Sequence, residues 1–285
     1  TYHLEKADVL VSFGADFLGS WLNTSFEKQY IANRNPKSGK MSRHFQIETN
    51  MSLSGSNADV RIPVKPSEKL TLLQNLYDAL NGNASANDKI KDIVSELSSA
   101  KGKSLVICDS NDKAVQIMVN AINDKLGNYG KTIDLSQPSL LKAGDDNAVA
   151  QLVQDMNDGK VGALIINGVN PSYTLANADD FNAGLKKVSL TVSTALSMDE
   201  TSTNVEYVCP DRHYLESWGD AKATPNQVAF TQPTIQPLFD SRQIQESLLT
   251  WSGDDTEYYT YLKNYWRSKV SWSSSLHDGL AEVSA

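Results

Sequence analysis

Cysteine is scarce: Cys108 and Cys209 are the only two in 285 residues. An iron–sulfur cluster is usually held by four thiolates, so neither a cluster nor a Cys-based structural zinc site can close within this chain. One Cys108–Cys209 disulfide is chemically open, but buried free thiols are the commoner state in a domain of this size. The count therefore says little about compartment. Long apolar runs are missing too. Residues 161–166 and 9–13 have strand length, well short of the ~20 residues of a membrane helix. Positive charge is in deficit, with 26 Lys+Arg against 34 Asp+Glu and a net charge of −8. That balance excludes a sequence-independent nucleic-acid binder and a polybasic membrane anchor.

Several catalytic signatures are absent as well. The four histidines, His3, His44, His213 and His277, have no metal-ligand spacing. No Gly-x-Ser-x-Gly elbow supplies a hydrolase nucleophile. Gly14 and Gly19 have P-loop separation, but Ser20-Trp21 stands where Lys-Ser/Thr is required. Asp16 occupies the second glycine position of a dinucleotide fingerprint. Gly102-Lys103-Ser104 and Gly130-Lys131-Thr132 imitate a P-loop end, yet each leads into a strand. These residues leave no catalytic or metal site to assign. Asp211, Arg212, His213 and Glu216 form a polar cluster, for which a satisfied structural network is the simpler reading.

What is present is a repeated strand–turn–helix pattern, the signature of βαβ units and parallel sheets. The expected fold is α/β: Rossmann-like parallel sheets flanked by helices, in two lobes. Strands are expected at 7–13, 45–48, 60–64, 104–108, 132–135, 161–167, 190–192 and 205–209. Helices are expected at 18–32, from Pro66 to about residue 80, from an Asn87 cap to residue 97, and at 112–126, 145–157 and 179–187. Asn177-Ala178-Asp179 offers capping chemistry for the last of these. Composition resets near residue 100, so a first lobe of 1–100 and a second of 101–209 follow. Pro225, Pro233 and Pro237 make 210–285 an irregular crossing segment, with surface helices at 243–250 and 257–270 packing on the lobes. The C-terminal Trp and Tyr residues read as helix packing or as a protein interface. Asn23-Thr24-Ser25 and Asn83-Ala84-Ser85 fit the glycosylation triplet. The N-terminus carries no basic segment followed by an apolar core, and it runs into a buried strand almost at once. That abrupt start predicts a piece of a longer protein.

The turn Gly14-Ala15-Asp16 follows a strand, where open α/β sheets bind ligands. With residues 7–13 it resembles the opening strand and turn of molybdopterin oxidoreductases of the dimethyl sulfoxide reductase type. Ser56-Asn57-Ala58-Asp59-Val60-Arg61-Ile62-Pro63-Val64-Lys65-Pro66 is similar to that family's Ala-Asp … Ile-Pro-Ile-Lys-Pro-Gly-Thr-Asp segment. Gly168-Val169-Asn170-Pro171 is similar to its second Gly-x-Asn-Pro turn, and 205–216 to the Leu-Pro … Leu-Glu stretch after it. The order of the motifs, spanning most of residues 4–250, makes the resemblance specific. Residues 13–21, 214–221 and 231–239 narrow it to the B subunits of bacterial alternative complex III, a membrane-associated quinol:electron-acceptor oxidoreductase.

The resemblance implies a subunit region that has lost its pterin cofactor and serves as a scaffold and docking domain. It implies a periplasmic-side location, twin-arginine export and neighbouring subunits as partners. Iron–sulfur clusters would sit in another region of the same polypeptide. No nucleic acid and no direct membrane span are expected. Where relatives have Gly-Thr-Asp after the proline, this chain has Ser67-Glu68, which fits cofactor loss. The alternative is an active bis-pterin molybdenum domain with molybdopterin guanine dinucleotide. In it Gly14, Asp16, Glu48, Glu68, Asn170 and Glu216 would line the groove, vestigial in the first reading. A two-lobed solute-binding protein is a third reading.

Overall fold

A computed structural model describes residues 1–22, 25–83, 87–141 and 144–284. Both glycosylation triplets run into residues 23, 24, 84 and 85, which lie outside that set. The chain divides into two compact units, Thr1–Pro138 and Ser139–Ala285.

In the first unit the elements run β1 (Val9–Phe13), α1 (Ser25–Ala32), a short hairpin β2 (Arg34–Asn35) and β3 (Lys40–Met41), β4 (Arg43–Glu48), α2 (Leu53–Ser56) and β5 (Val60–Pro63). Then come α3 (Pro66–Leu80), α4 (Asp88–Ser99), β6 (Ser104–Cys108) and α5 (Lys113–Lys125). Four strands form one parallel sheet in the order β5-β4-β1-β6. A parallel sheet needs cover on both faces, and both are covered here. Val9, Val11 and Phe13 of β1 point into a core with Leu73, Leu76, Ile90, Ile93 and Ile122 of α3, α4 and α5. Leu10, with Leu105 and Ile107 of β6, points the other way, onto Phe17, Phe26 and Tyr30. Helix ends follow local chemistry. Pro66 opens α3, where its missing N–H costs nothing. Asn87 accepts from the Lys89 amide at 3.0 Å and starts α4.

Three expectations change in this unit. The boundary near residue 100 falls inside it, because β6 pairs along the whole of β1; Lys101-Gly102-Lys103 is only the α4–β6 turn. The helix expected from residue 18 begins at Ser25, because the Asp16 carbonyl accepts from Gly19 and Trp21 amides and closes a turn first. Residues 132–135 contribute only isolated bridges at Ile133. The Thr132 and Ile133 amides are taken by the Asn128 carbonyl.

The second unit holds α6 (Asp146–Asn157), β7 (Ala163–Ile166), α7 (Pro171–Thr174), α8 (Ala178–Leu185), β8 (Leu190–Ser193) and β9 (Tyr207–Val208). These strands pair in parallel in the order β7-β8-β9, and Met156, Ile166, Phe181 and Leu185 form their core. Asp145 caps α6 through the Asn147 and Ala148 amides, whereas Asn177 makes no side-chain cap on α8. The segment expected to be irregular contains an antiparallel sheet. β10 (Gly219–Thr224), β11 (Gln227–Thr231) and β12 (Leu280–Glu282) pair in that order. Around it lie α9 (Ile244–Trp251), α10 (Tyr258–Trp266) and α11 (Trp272–Asp278). Val228, Phe230, Leu262, Trp266 and Trp272 share a core, so part of the aromatic density is helix-on-sheet packing. The helix expected over 257–270 ends early, at Trp266, and a separate α11 follows after the 267–271 turn. Cys108 and Cys209 are both free thiols.

Candidate functional site

Chain order against strand order locates the crevice. From β1 the chain steps outward to β4 and β5, then returns to β6 on the other side of β1. Open α/β sheets bind ligands at that reversal, beyond the carboxyl ends of the two strands. Gly14 follows β1 there, and Asp109 follows β6.

The protein's own charged side chains meet at this point. Lys69 Nζ on α3 pairs with Asp109 Oδ1 at 2.5 Å. Gly14 has φ +79°, a backbone that glycine adopts freely. A Cβ there would collide with the Asp109 carboxylate and would come within 2.8 Å of Lys69 Nζ. Backbone donors are equally committed. The Gly14 amide donates to Ile47 O at 2.8 Å and the Asp109 amide to Phe13 O at 3.1 Å. Cys108, beside them, is buried, which raises its thiol above the ordinary range.

Asp16 and Glu48 converge on the 52–55 turn. Asp16 Oδ1 accepts from the amide and the hydroxyl of Ser54, both at 2.8 Å. Glu48, 3% exposed, accepts from Ser52 Oγ at 2.6 Å, the Ser52 amide at 3.1 Å, Gln46 Nε2 at 3.1 Å and Arg61 Nε at 2.6 Å. Burial works to raise its pKa, but the bonds from Ser52, Arg61 and Gln46 outweigh it, and the carboxyl lies below the ordinary range. Gly55 is required beside it, because a Cβ would overlap the Glu48 carboxylate. The chain of bonds continues along β4. Gln46 Oε1 meets His44 Nε2 at 3.1 Å, and His44 Nδ1 meets Tyr30 Oη at 3.0 Å. With the Gln46 amide donating to Glu48, its oxygen faces His44, so His44 carries its proton on Nε2.

Glu68 stays at the start of α3, where its carboxylate accepts from the Lys65 amide at 3.3 Å. It acts as a helix cap. The structure thus brings Asp16 and Glu48 onto one turn and leaves Gly14 and Glu68 apart from them.

Asn170 and Glu216 belong to the second unit. Asn170 accepts from Thr201 Oγ1 at 2.7 Å and donates to Glu200 at 2.7 Å, holding the turn after β7 to the 199–204 loop. Glu216, 8% exposed, accepts from the His213 amide at 3.2 Å and the Leu238 amide at 3.1 Å. It lines a cleft of roughly 540 Å³ with Arg212, Trp218, Gln243 and Tyr259. The expected polar cluster is a satisfied network. Asp211 accepts from the Ile244 amide at 2.8 Å, and Arg212 pairs with Glu246 at 3.5 Å. Among the described residues no group of three or more His, Cys, Asp or Glu could hold a metal ion, and no helix is long and apolar enough to cross a membrane.

The pairing residues Lys69, Asp109, Arg61 and Ser54 were not legible as site residues, because each meets a partner distant in sequence, and Ser52, four residues from Glu48, lies on a turn with no distinguishing pattern. One signal was present: His44, Gln46 and Glu48 alternate with Phe45 and Ile47, which marks a polar strand face.

A bound pterin dinucleotide would need free donors and open backbone at this crevice. The Gly14 and Asp109 amides are bonded to neighbouring strands, the lysine is paired with Asp109, and α1 does not begin until Ser25. Those two amides and that lysine are not free for such a group.

No family model and no curated protein matches the chain. Among solved structures it is similar to acetylene hydratase from Pelobacter acetylenicus, at TM-score 0.60 and 13% identity, over 89% of this chain and 48% of that one. The chain thus spans about half the length of that protein, with which it shares an α/β fold of parallel sheets flanked by helices.

Proposed function

We propose that the chain is a molybdopterin-oxidoreductase-like region that has become a scaffold, its old cofactor crevice filled by its own side chains. The observation that carries this reading is the Lys69–Asp109 ion pair seated against Gly14 at the strand-order reversal. It is supported by the closed bonding of Asp16 and Glu48 and by the shared fold. The motifs at residues 7–17, 56–66, 168–171 and 205–216 support the broad family, and the segments 13–21, 214–221 and 231–239 support, on this reading, a respiratory quinol-oxidising complex of the alternative complex III kind. There it would dock neighbouring subunits on the periplasmic side and hold a cluster-bearing region in place. The chain's own contribution is shape and surface, with no redox centre.

The test combines elemental analysis of the purified chain with calorimetric titration of guanine nucleotide up to about 1 mM, where even weak sites register. Neither molybdenum nor saturable nucleotide binding is expected. Stoichiometric molybdenum, a pterin chromophore or saturable binding would restore the bis-pterin reading.

A further inference from the structure

The second unit carries another groove, of roughly 330 Å³, between β10 and α10. On α10 the residues Tyr258, Tyr261, Tyr265 and Trp266 fall at helical spacing and share one face. Tyr258 and Trp266 are buried and form the floor, while Tyr261 and Tyr265 are about half exposed and form the rim. Tyr258 and Tyr261 stack at 6.2 Å, and Tyr265 stands edge-on to Trp266 at 5.0 Å.

The opposite wall carries charge. Trp266 Nε1 donates to Asp220 Oδ2 at 2.7 Å, which fixes the carboxylate at the edge of the aromatic surface. No other hydrogen bond or ion pair to the Asp220 carboxylate occurs among the described residues. Burial, with the Asp220 charge added, pushes the Tyr258 hydroxyl up to about 12. Lys222 lines the same wall and opposes the carboxylate in part.

Aromatic faces backed by a carboxylate attract cations, and the attraction grows where water is excluded. Lysines on and just past this helix already show it. Lys269 Nζ sits 3.3 Å from the Tyr265 ring centre and 5.2 Å from that of Trp266, and Lys263 Nζ lies 5.8 Å from that of Tyr259. We propose that the groove between β10 and α10 binds a small alkylammonium cation, its charge facing Asp220 and its carbon shell against the tyrosine rings.

Choline and its neutral carbon isostere, 3,3-dimethylbutanol, separate charge recognition from plain apolar binding. Each is titrated into the full chain while the Trp266 indole N–H resonance is followed by NMR. Choline should give a saturable shift, and the isostere should give none. Asp220→Asn keeps an acceptor for Trp266 and should weaken choline about tenfold. Tyr265→Ala, at an exposed position, should also weaken it, and it carries the test if the first variant fails to fold by circular dichroism. Equal binding of the isostere, no saturable shift with choline, or unchanged affinity in folded variants would each overturn the proposal.

Discussion

His44 shows how one buried side chain ties pH to stability. It is fully buried between Tyr30 and Gln46. Burial, helped by the Arg34 charge and opposed by the Gln46 bond and the Asp59 and Glu48 charges, lowers its pKa to about 4. The unfolded chain therefore takes up this proton near the ordinary value of about 6.5, before the native protein does. The contribution is fully present above that pH and is lost as pH falls toward about 4. The loss amounts to up to about 3 kcal/mol. His44→Gln preserves hydrogen-bonding groups and removes the titration. Urea midpoints measured between pH 7 and pH 4 should fall less steeply in the variant than in the native chain. Parallel slopes would mean that His44 is not the group responsible. Its role was only half legible. The alternation of His44, Gln46 and Glu48 marks a strand face, but Tyr30 and Arg61 reach it from other elements. No local pattern announces such partners, and the same holds for Lys69 and Asp109.

Elements were legible where their ends carry local chemistry. Asp112 accepts from the Ala114 and Val115 amides at 2.7 and 3.2 Å and starts α5. Those amides have no intrahelical partner. Asp112→Ala should lower stability by about 1 kcal/mol, read as a shift in urea midpoint at unchanged slope. A variant as stable as the native chain would mean that water caps the helix equally well. Elements that depend on distant partners were not legible. Residues 219–224 read Gly-Asp-Ala-Lys-Ala-Thr, with no bulky side chain to alternate. They become a strand because 227–231 folds back on them, and that strand is in turn covered by residues 280–282. Residues 132–135 err in the opposite direction. Their β-branched residues suit a strand, but Asn128 takes the amides that a ladder would need.

At the scale of the molecule, the cores say where the chain can be cut. Every residue of the two clusters around the four-stranded sheet lies at or before Ile133, and every residue of the other two lies at or beyond Leu152. Among the described residues each of these four clusters stays on one side of Pro138/Ser139, whereas a cut near residue 100 would strip β6 from β1 and remove Val106, Val119 and Ile122 from the larger core. Burying apolar surface is the main force that holds a domain together, so residues 1–138 contain what they need to fold. Expressed alone, they should melt in one cooperative transition with native-like near-ultraviolet dichroism. Residues 1–100 should fail to do so, because their sheet loses one of four strands and α5. If both fragments behave alike, the sheet does not depend on β6, and the division of the chain at 138 has no energetic meaning.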